Sequence, residues 1–342
     1  MKRLLVLALL ALAGCGETTT VREPDLVVRG DEAVRSTPTP SGPRGRGLRL
    51  AAARIAVVSH GQASDPFWAI VKRGVDDAAR QTGVAVSYRA PDTYDIERMS
   101  RLIDEAIDDR LDGLVVSLPD VERLAPAIRR AVRSGIPVVS INSGSDRFRD
   151  LGIAAHVGQP EDRAGLEAGL RMGRAGVRSA VCVNQEVGNA GLRERCRAFA
   201  IGLRRSGGRS RQLGVDVQDT ADAQRRIARA VANGGIDGIL TLGPGGAAPA
   251  LAALRAGGLD DLVRLATFDL SPEVLEAVRE RRMLFAVDQQ PYLQGYLPVV
   301  LLAERARHLL FPARGELIPT GPELVTPANA ARVIALSRQG VR

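Results

Sequence analysis

Aromatic rings are scarce in this chain: Phe, Trp and Tyr make up 3% of its 342 residues, and Trp68 is the sole tryptophan. Few rings are free for stacking, so a Phe or Trp beside polar residues in a loop stands out. Lysine is nearly missing as well. Lys2 and Lys72 are the only two, so the net charge of +8 is carried by arginine, which stays charged at any ordinary pH. A nucleic-acid partner would need a basic stripe. The arginines instead fall in pairs such as Arg129 and Arg130, Arg204 and Arg205, or Arg225 and Arg226, with acids interspersed, which reads as a solvated surface. Three histidines and three cysteines show no metal-ligand spacing, which leaves no zinc or iron site. His60, His156 and His308 are scattered, and no nucleophile stands with a base, so no catalytic residue and no cofactor is expected and the chain is not read as an enzyme.

What is present begins with a leader. Lys2 and Arg3 precede an apolar run from Leu4 to Ala13, too short to span a bilayer and right for a signal-peptide core. Leu12-Ala13-Gly14-Cys15 resembles the bacterial lipobox, which implies that residues 1–14 are removed and that Cys15 carries lipid. Residues 15–52 are rich in Thr, Pro, Gly and Arg without sustained periodicity, and read as a flexible tether. The protein is therefore expected outside the cytoplasm, held to a membrane by its lipid.

From Arg54 onward, strand and helix patterns alternate. Arg54 to Ser59, Val84 to Tyr88, Leu114 to Ser117 and Ile136 to Ile141 are short apolar runs of buried parallel strands. Between them lie amphipathic helices, the first opened by Asp65-Pro66 and stopped by Gly83. The second half repeats the first: Leu111-Asp112-Gly113-Leu114-Val115-Val116 recurs as Ile236-Asp237-Gly238-Ile239-Leu240-Thr241, and the following units end at Asn142 and Asp269. With 45% apolar residues and a length beyond one ordinary core, the expectation is an α/β fold of two doubly wound parallel-sheet lobes.

In such sheets ligands bind beyond the carboxyl ends of the strands. Carboxylates, amides, an arginine and the Phe67-Trp68 pair gather there, an inventory that suits a small polyhydroxylated ligand. The lipobox, Ser64-Asp65-Pro66-Phe67-Trp68, Ser134-Gly135-Ile136-Pro137-Val138-Val139 and the late Asp288-Gln289-Gln290-Pro291-Tyr292-Leu293-Gln294-Gly295-Tyr296 together resemble type I periplasmic binding proteins. Within that family they are similar to the ribose- and galactose-type substrate-binding lipoproteins of sugar ABC transporters.

The resemblance implies a three-crossover hinge joining an N-terminal lobe (53–157 plus 290–318) to a C-terminal lobe (158–289 plus 319–342). It implies a ligand set of Asp65, Phe67, Trp68, Asp120, Asn142 and Ser143 from the first lobe, and Asn189, Arg193, Gly243, Asp269 and Gln289 from the second. Arg193 is matched to the family's ligand arginine, with Arg195 as its competitor facing away. Asn142, Ser143 and Gly243 stand where ribose binders carry Asp, Arg and Asn, so ribose is not the expected guest; a bulkier sugar, a cyclitol or a nucleoside fits better. The implied partners are a sugar or polyol and an ABC permease, to which a monomer delivers its ligand. A ligand-sensing role in a chemotaxis or sensor-kinase pathway would use the same cleft.

Two motifs stand apart. Gly243-Pro244-Gly245-Gly246-Ala247-Ala248 fits a dinucleotide fingerprint, but it lies late in the chain and no strand-end acid follows at about 20 residues, so a tight turn at the cleft is the better reading. Cys182 and Cys196 form an even pair in an oxidising compartment, which suits either a disulfide or two small buried hydrophobes.

Overall fold

A computed structural model describes residues 52–61, 65–233 and 235–342. The leader, Cys15, nearly all of the tether and Ser64 lie outside the described residues.

The first lobe runs β1 (Arg54–Val58), α1 (Pro66–Thr82), β2 (Ala85–Arg89), α2 (Ile96–Asp108), β3 (Gly113–Ser117), α3 (Val121–Arg133), β4 (Val138–Ile141) and β5 (Ala155–Gly158). The second runs α4 (Glu161–Arg174), β6 (Ser179–Asn184), α5 (Ala190–Arg205), β7 (Arg209–Gly214), α6 (Thr220–Ala232), β8 (Gly238–Thr241), α7 (Pro244–Gly257), β9 (Arg264–Phe268), α8 (Pro272–Arg279) and β10 (Ala286–Asp288). The chain then recrosses into α9 (Pro291–His308) and β11 (Glu316–Pro319), and crosses a last time into β12 (Glu323–Val325) and α10 (Ala330–Ser337).

Each lobe holds one six-stranded sheet, ordered β11-β5-β4-β3-β1-β2 and β12-β10-β9-β8-β6-β7. The two orders are the same once β6 is read as β1, so the sequence repeat is a repeat of topology. Every pairing is parallel except β10 with β12, which is antiparallel. In each sheet the chain turns back beside its first strand, which opens a crevice at the strand ends.

Alternation within the strands covers both faces of each sheet. In β1, Ile55 and Val57 pack toward α1 and α9, whereas Ala56 and Val58 pack toward α2 and α3. In β6, Ala180 and Cys182 face α4 and α5, and Val181 and Val183 face α6, α7 and α8. Strands buried on both sides must be apolar throughout, which is why they read as continuous runs. Cys182 and Cys196 are disulfide-bonded with a Cα separation of 5.7 Å, tying β6 to the second turn of α5.

The helices that follow crossings lie against backbone. A Cβ on Gly74 of α1 would stand 2.1 Å from the Tyr292 carbonyl oxygen of α9, and one on Gly295 would stand 2.0 Å from that of Val71. In the second lobe a Cβ on Gly202 of α5 would stand 2.2 Å from the Leu166 oxygen of α4. These are close approaches that only a missing side chain permits, and they seat α9 and α4 in their lobes. Gly295→Ala must push α9 off α1; the expected loss is about 1–3 kcal/mol, the range for overpacking a tight core. Urea unfolding that left the midpoint unchanged would refute this packing account.

Candidate functional site

A cavity of about 430 Å³ lies between the lobes, walled by loops from the carboxyl ends of both sheets. After β1, the backbone N–H of His60 donates to Ser117 Oγ (3.0 Å), and His60 Nδ1 lies 2.8 Å from the same oxygen, which fastens the β1 loop to the end of β3. Asp65 caps α1 by accepting from the Phe67 N–H (2.9 Å), and Pro66 starts the helix with its φ already set. The first turn therefore presents Phe67 and Trp68. Their rings meet edge to face at 5.2 Å, and Trp68 meets the His60 ring the same way at 4.9 Å. A Cβ on Gly61 would stand 1.8 Å from Trp68 Nε1, so the indole rests on bare backbone. Tyr94, from the loop after β2, closes this aromatic wall 5.9 Å from His60.

The second lobe supplies matching parts. Asn189 caps α5 by accepting from the Gly191 N–H (3.0 Å), as Asp65 caps α1. Gln185 and Glu186 follow β6, Asp216 and Gln218 follow β7, and Gly243 to Gly245 open α7. Asn142 after β4 and Asp269 after β9 both have φ of 62°, a left-handed conformation that Asn and Asp tolerate better than most side chains. Both residues border the cavity, so the repeat places an equivalent polar group in each half.

Burial governs the charges. The Asp269 carboxyl is pushed up to about 7 by burial, against the opposing pull of the Arg195 charge and of the Gln289 amide, which donates to it at 2.6 Å. Burial also raises Asp65, despite the N–H groups of Phe67 and Trp68. Burial pushes Glu186 up too, but it is overcome by His60, 3.6 Å away, and by Asn189, whose amide donates to it at 2.7 Å; the carboxyl ends below its usual range. Arg195 is pinned by Glu161, which takes hydrogen bonds from both Nε and Nη2; both side chains are 2% exposed. Its guanidinium also lies 4.7 Å from the Phe268 ring centre.

The lobes touch directly beside the cavity. Ser143 Oγ lies 3.0 Å from the amide oxygens of both Asn142 and Asn189, the Ala190 N–H donates to the Pro119 carbonyl (2.8 Å), and Asn189 Nδ2 lies 3.4 Å from His60 Nε2. At the crossovers, Gln294 donates to the Gln289 carbonyl oxygen (3.1 Å) and lies 3.2 Å from Thr320 Oγ1, so the second and third crossovers share one buried amide network.

Of the residues expected from sequence, the cavity brings together Asp65, Phe67, Trp68, Asn142, Asn189, Gly243, Asp269 and Gln289. Three do not belong to its wall. Arg193 is exposed and donates to the carbonyls of Val187 (3.3 Å) and Gly188 (2.7 Å), while Arg195 takes the cavity position. The reason is helical phase: Leu192, Cys196 and Phe199 mark the buried stripe of α5, and Arg195 falls on it while Arg193 does not. Asp120 is occupied as the cap of α3, accepting from the Arg123 N–H (3.0 Å). Ser143 is spent on the contact between lobes. The space left by Gly243 is filled rather than open, since a Cβ there would stand 2.8 Å from Gln185 Nε2. His60, Tyr94, Gln185, Glu186, Arg195 and Asp216 line the cavity without having been expected as ligands. His60, Gln185 and Glu186 are first or second after their strands, which is the signal that could have found them. Among the described residues no cluster of His, Cys, Asp or Glu could hold a metal ion.

Residues 55–308 match the periplasmic binding protein domain. A solved carbohydrate transporter from Acidothermus cellulolyticus 11B, in complex with myo-inositol, is 32% identical, covering 85% of this chain and 100% of that one with a TM-score of 0.79. The xylose/arabinose-binding protein XylF of Sulfolobus acidocaldarius is 22% identical over 307 residues, 83% of this chain and 74% of that protein. A solute-binding protein from Burkholderia graminis C4D1M in complex with D-arabinose shares the fold, with a TM-score of 0.74 at 22% identity over 82% of this chain and 96% of that one.

The Asp269 shift makes a signed prediction. A carboxyl raised from 3.8 to about 7 keeps a proton in the folded state that the unfolded chain releases, so its contribution is complete below pH 3.8 and is lost as pH rises through 7. Asp269→Asn therefore raises the melting temperature of the ligand-free protein relative to wild type more at pH 8 than at pH 5. Calorimetry giving the same offset at both values would exclude Asp269 as the titrating group.

Proposed function

The chain belongs to the type I periplasmic binding proteins, extracytoplasmic carriers of solutes and not enzymes, and from that premise we propose that it captures a sugar or cyclitol for an ABC importer. The observation that carries this reading is the cavity between the lobes, to which each lobe contributes both hydrogen-bonding groups and part of the wall. Planar carboxylates and amides match vicinal hydroxyls, and the Phe67-Trp68 edge gives an apolar C–H face somewhere to lie. The relative solved with myo-inositol favours a six-carbon ring over ribose. So does the use of Ser143 between the lobes, where ribose binders carry an arginine.

In this reading residues 53–157 with 290–318, and 158–289 with 319–342, move as two bodies. A ligand bound by Trp68 and Asn142 on one side gains Asp269 and Arg195 only when they shut, and that difference in contacts shifts the population toward the closed form. The closed monomer then docks on its permease, kept at the membrane by lipid on Cys15 and by the tether.

Titration calorimetry against pentoses, hexoses and cyclitols tests this. At least one hexose or cyclitol is expected to bind, and Trp68→Ala and Asp269→Ala are each expected to weaken it by ~10-fold or more, or about 1.4 kcal/mol. Heat from no polyol, or full affinity in both variants, would defeat the proposal.

A further inference from the structure

Four carboxylates border the cavity, those of Asp65, Glu186, Asp216 and Asp269, against two bases, His60 and Arg195. Arg195 is itself paired with Glu161, which grips both Nε and Nη2 and does not border the cavity, so its pull on Asp269 is shared with that further carboxylate. His60 has one ring nitrogen 2.8 Å from Ser117 Oγ and the other 3.6 Å from Glu186. Among the described residues neither Asp65 nor Asp269 has an ion-pair partner; each is held by hydrogen bonds, from the Phe67 N–H and from the Gln289 amide. Burial raises both, outweighing the pull of Arg195 on Asp269 and that of the N–H groups and His60 on Asp65. The rings of Phe67, Trp68 and Tyr94 border the same cavity, and the π faces of such rings attract cations. A neutral polyol would bring no charge to set against these carboxylates.

We propose that the cleft is built for a polyol bearing a protonated amine, an amino sugar or aminocyclitol, with the ammonium set between the carboxylates and the aromatic wall. This rests on the polyol-binding reading above and adds the charge of the ligand to it. An ammonium there would pair with the half-buried Asp269 or Glu186, where opposite charges attract more strongly than in bulk solvent.

The experiment compares matched pairs by titration calorimetry on the intact protein at pH 7.5: D-glucosamine with D-glucose, D-galactosamine with D-galactose, and scyllo-inosamine with scyllo-inositol. In at least one pair the amine is expected to bind ~10-fold or more tightly than its parent, about 1.4 kcal/mol. Asp269→Asn and Glu186→Gln, which keep shape but remove charge, are expected to shrink that ratio, and thermal unfolding checks that both variants fold. Parents that bind as well as or better than their amines would overturn the proposal and leave the polyol reading standing. An amine preference that survives both substitutions would also overturn it, since the carboxylates would not be its source. Binding by no member of either set would bring down the polyol reading, and this inference with it.

Discussion

The side-chain amide of Gln289 takes its partners from both lobes at once. Its nitrogen donates to Asp269 (2.6 Å) and its oxygen accepts from Asn142 (3.3 Å), the two strand-end residues that the repeat makes equivalent. The same oxygen accepts from Gln294, and the Gln289 carbonyl accepts from Thr320 (2.8 Å). A buried amide with an unmade bond is costly, so satisfying Gln289 fixes where each wall of the cavity stands relative to the crossing strands. The rest of the site is arranged around that point: one polar group from each half, both in left-handed backbone, both within reach of one hinge residue.

The two lobes share a plan but not a chemistry. The first offers rings and the β1 loop; the second offers most of the charge, with Glu186, Arg195, Asp216 and Asp269. Neither set alone would enclose a small polar guest. The direct contacts of Asn189 with Ser143 and His60 hold the halves together beside the cavity rather than across it, which leaves the central space to the guest.

The fold was legible because buried parallel strands leave a local trace. Leu114 to Val116 and Ile239 to Leu240 have to be apolar on both faces, and Asp65-Pro66 announces a helix start by cap chemistry. Strand-end logic also reaches Asn142, Asp269 and Gln289 in the cleft, since a chain position fixes where a strand stops. It fails where a side chain's direction depends on packing. Arg193 and Arg195 look interchangeable by composition, and only the Leu192-Cys196-Phe199 stripe separates them. Asp120 and Ser143 sit at strand ends like true wall residues, yet one is consumed by its own helix and the other by the opposite lobe. Tyr94 follows an outer strand, and its approach to His60 depends on long-range placement that no local pattern encodes.

Glu161 follows the first crossover almost immediately, with Gln159 donating to its carboxylate at 3.1 Å, and it grips the guanidinium of Arg195 at two points. The first crossover and the Arg195 side of the cavity are thus joined by direct contacts. In the proposed two-body motion, a twist of that crossing strand would therefore be felt at the cavity wall through one buried ion pair.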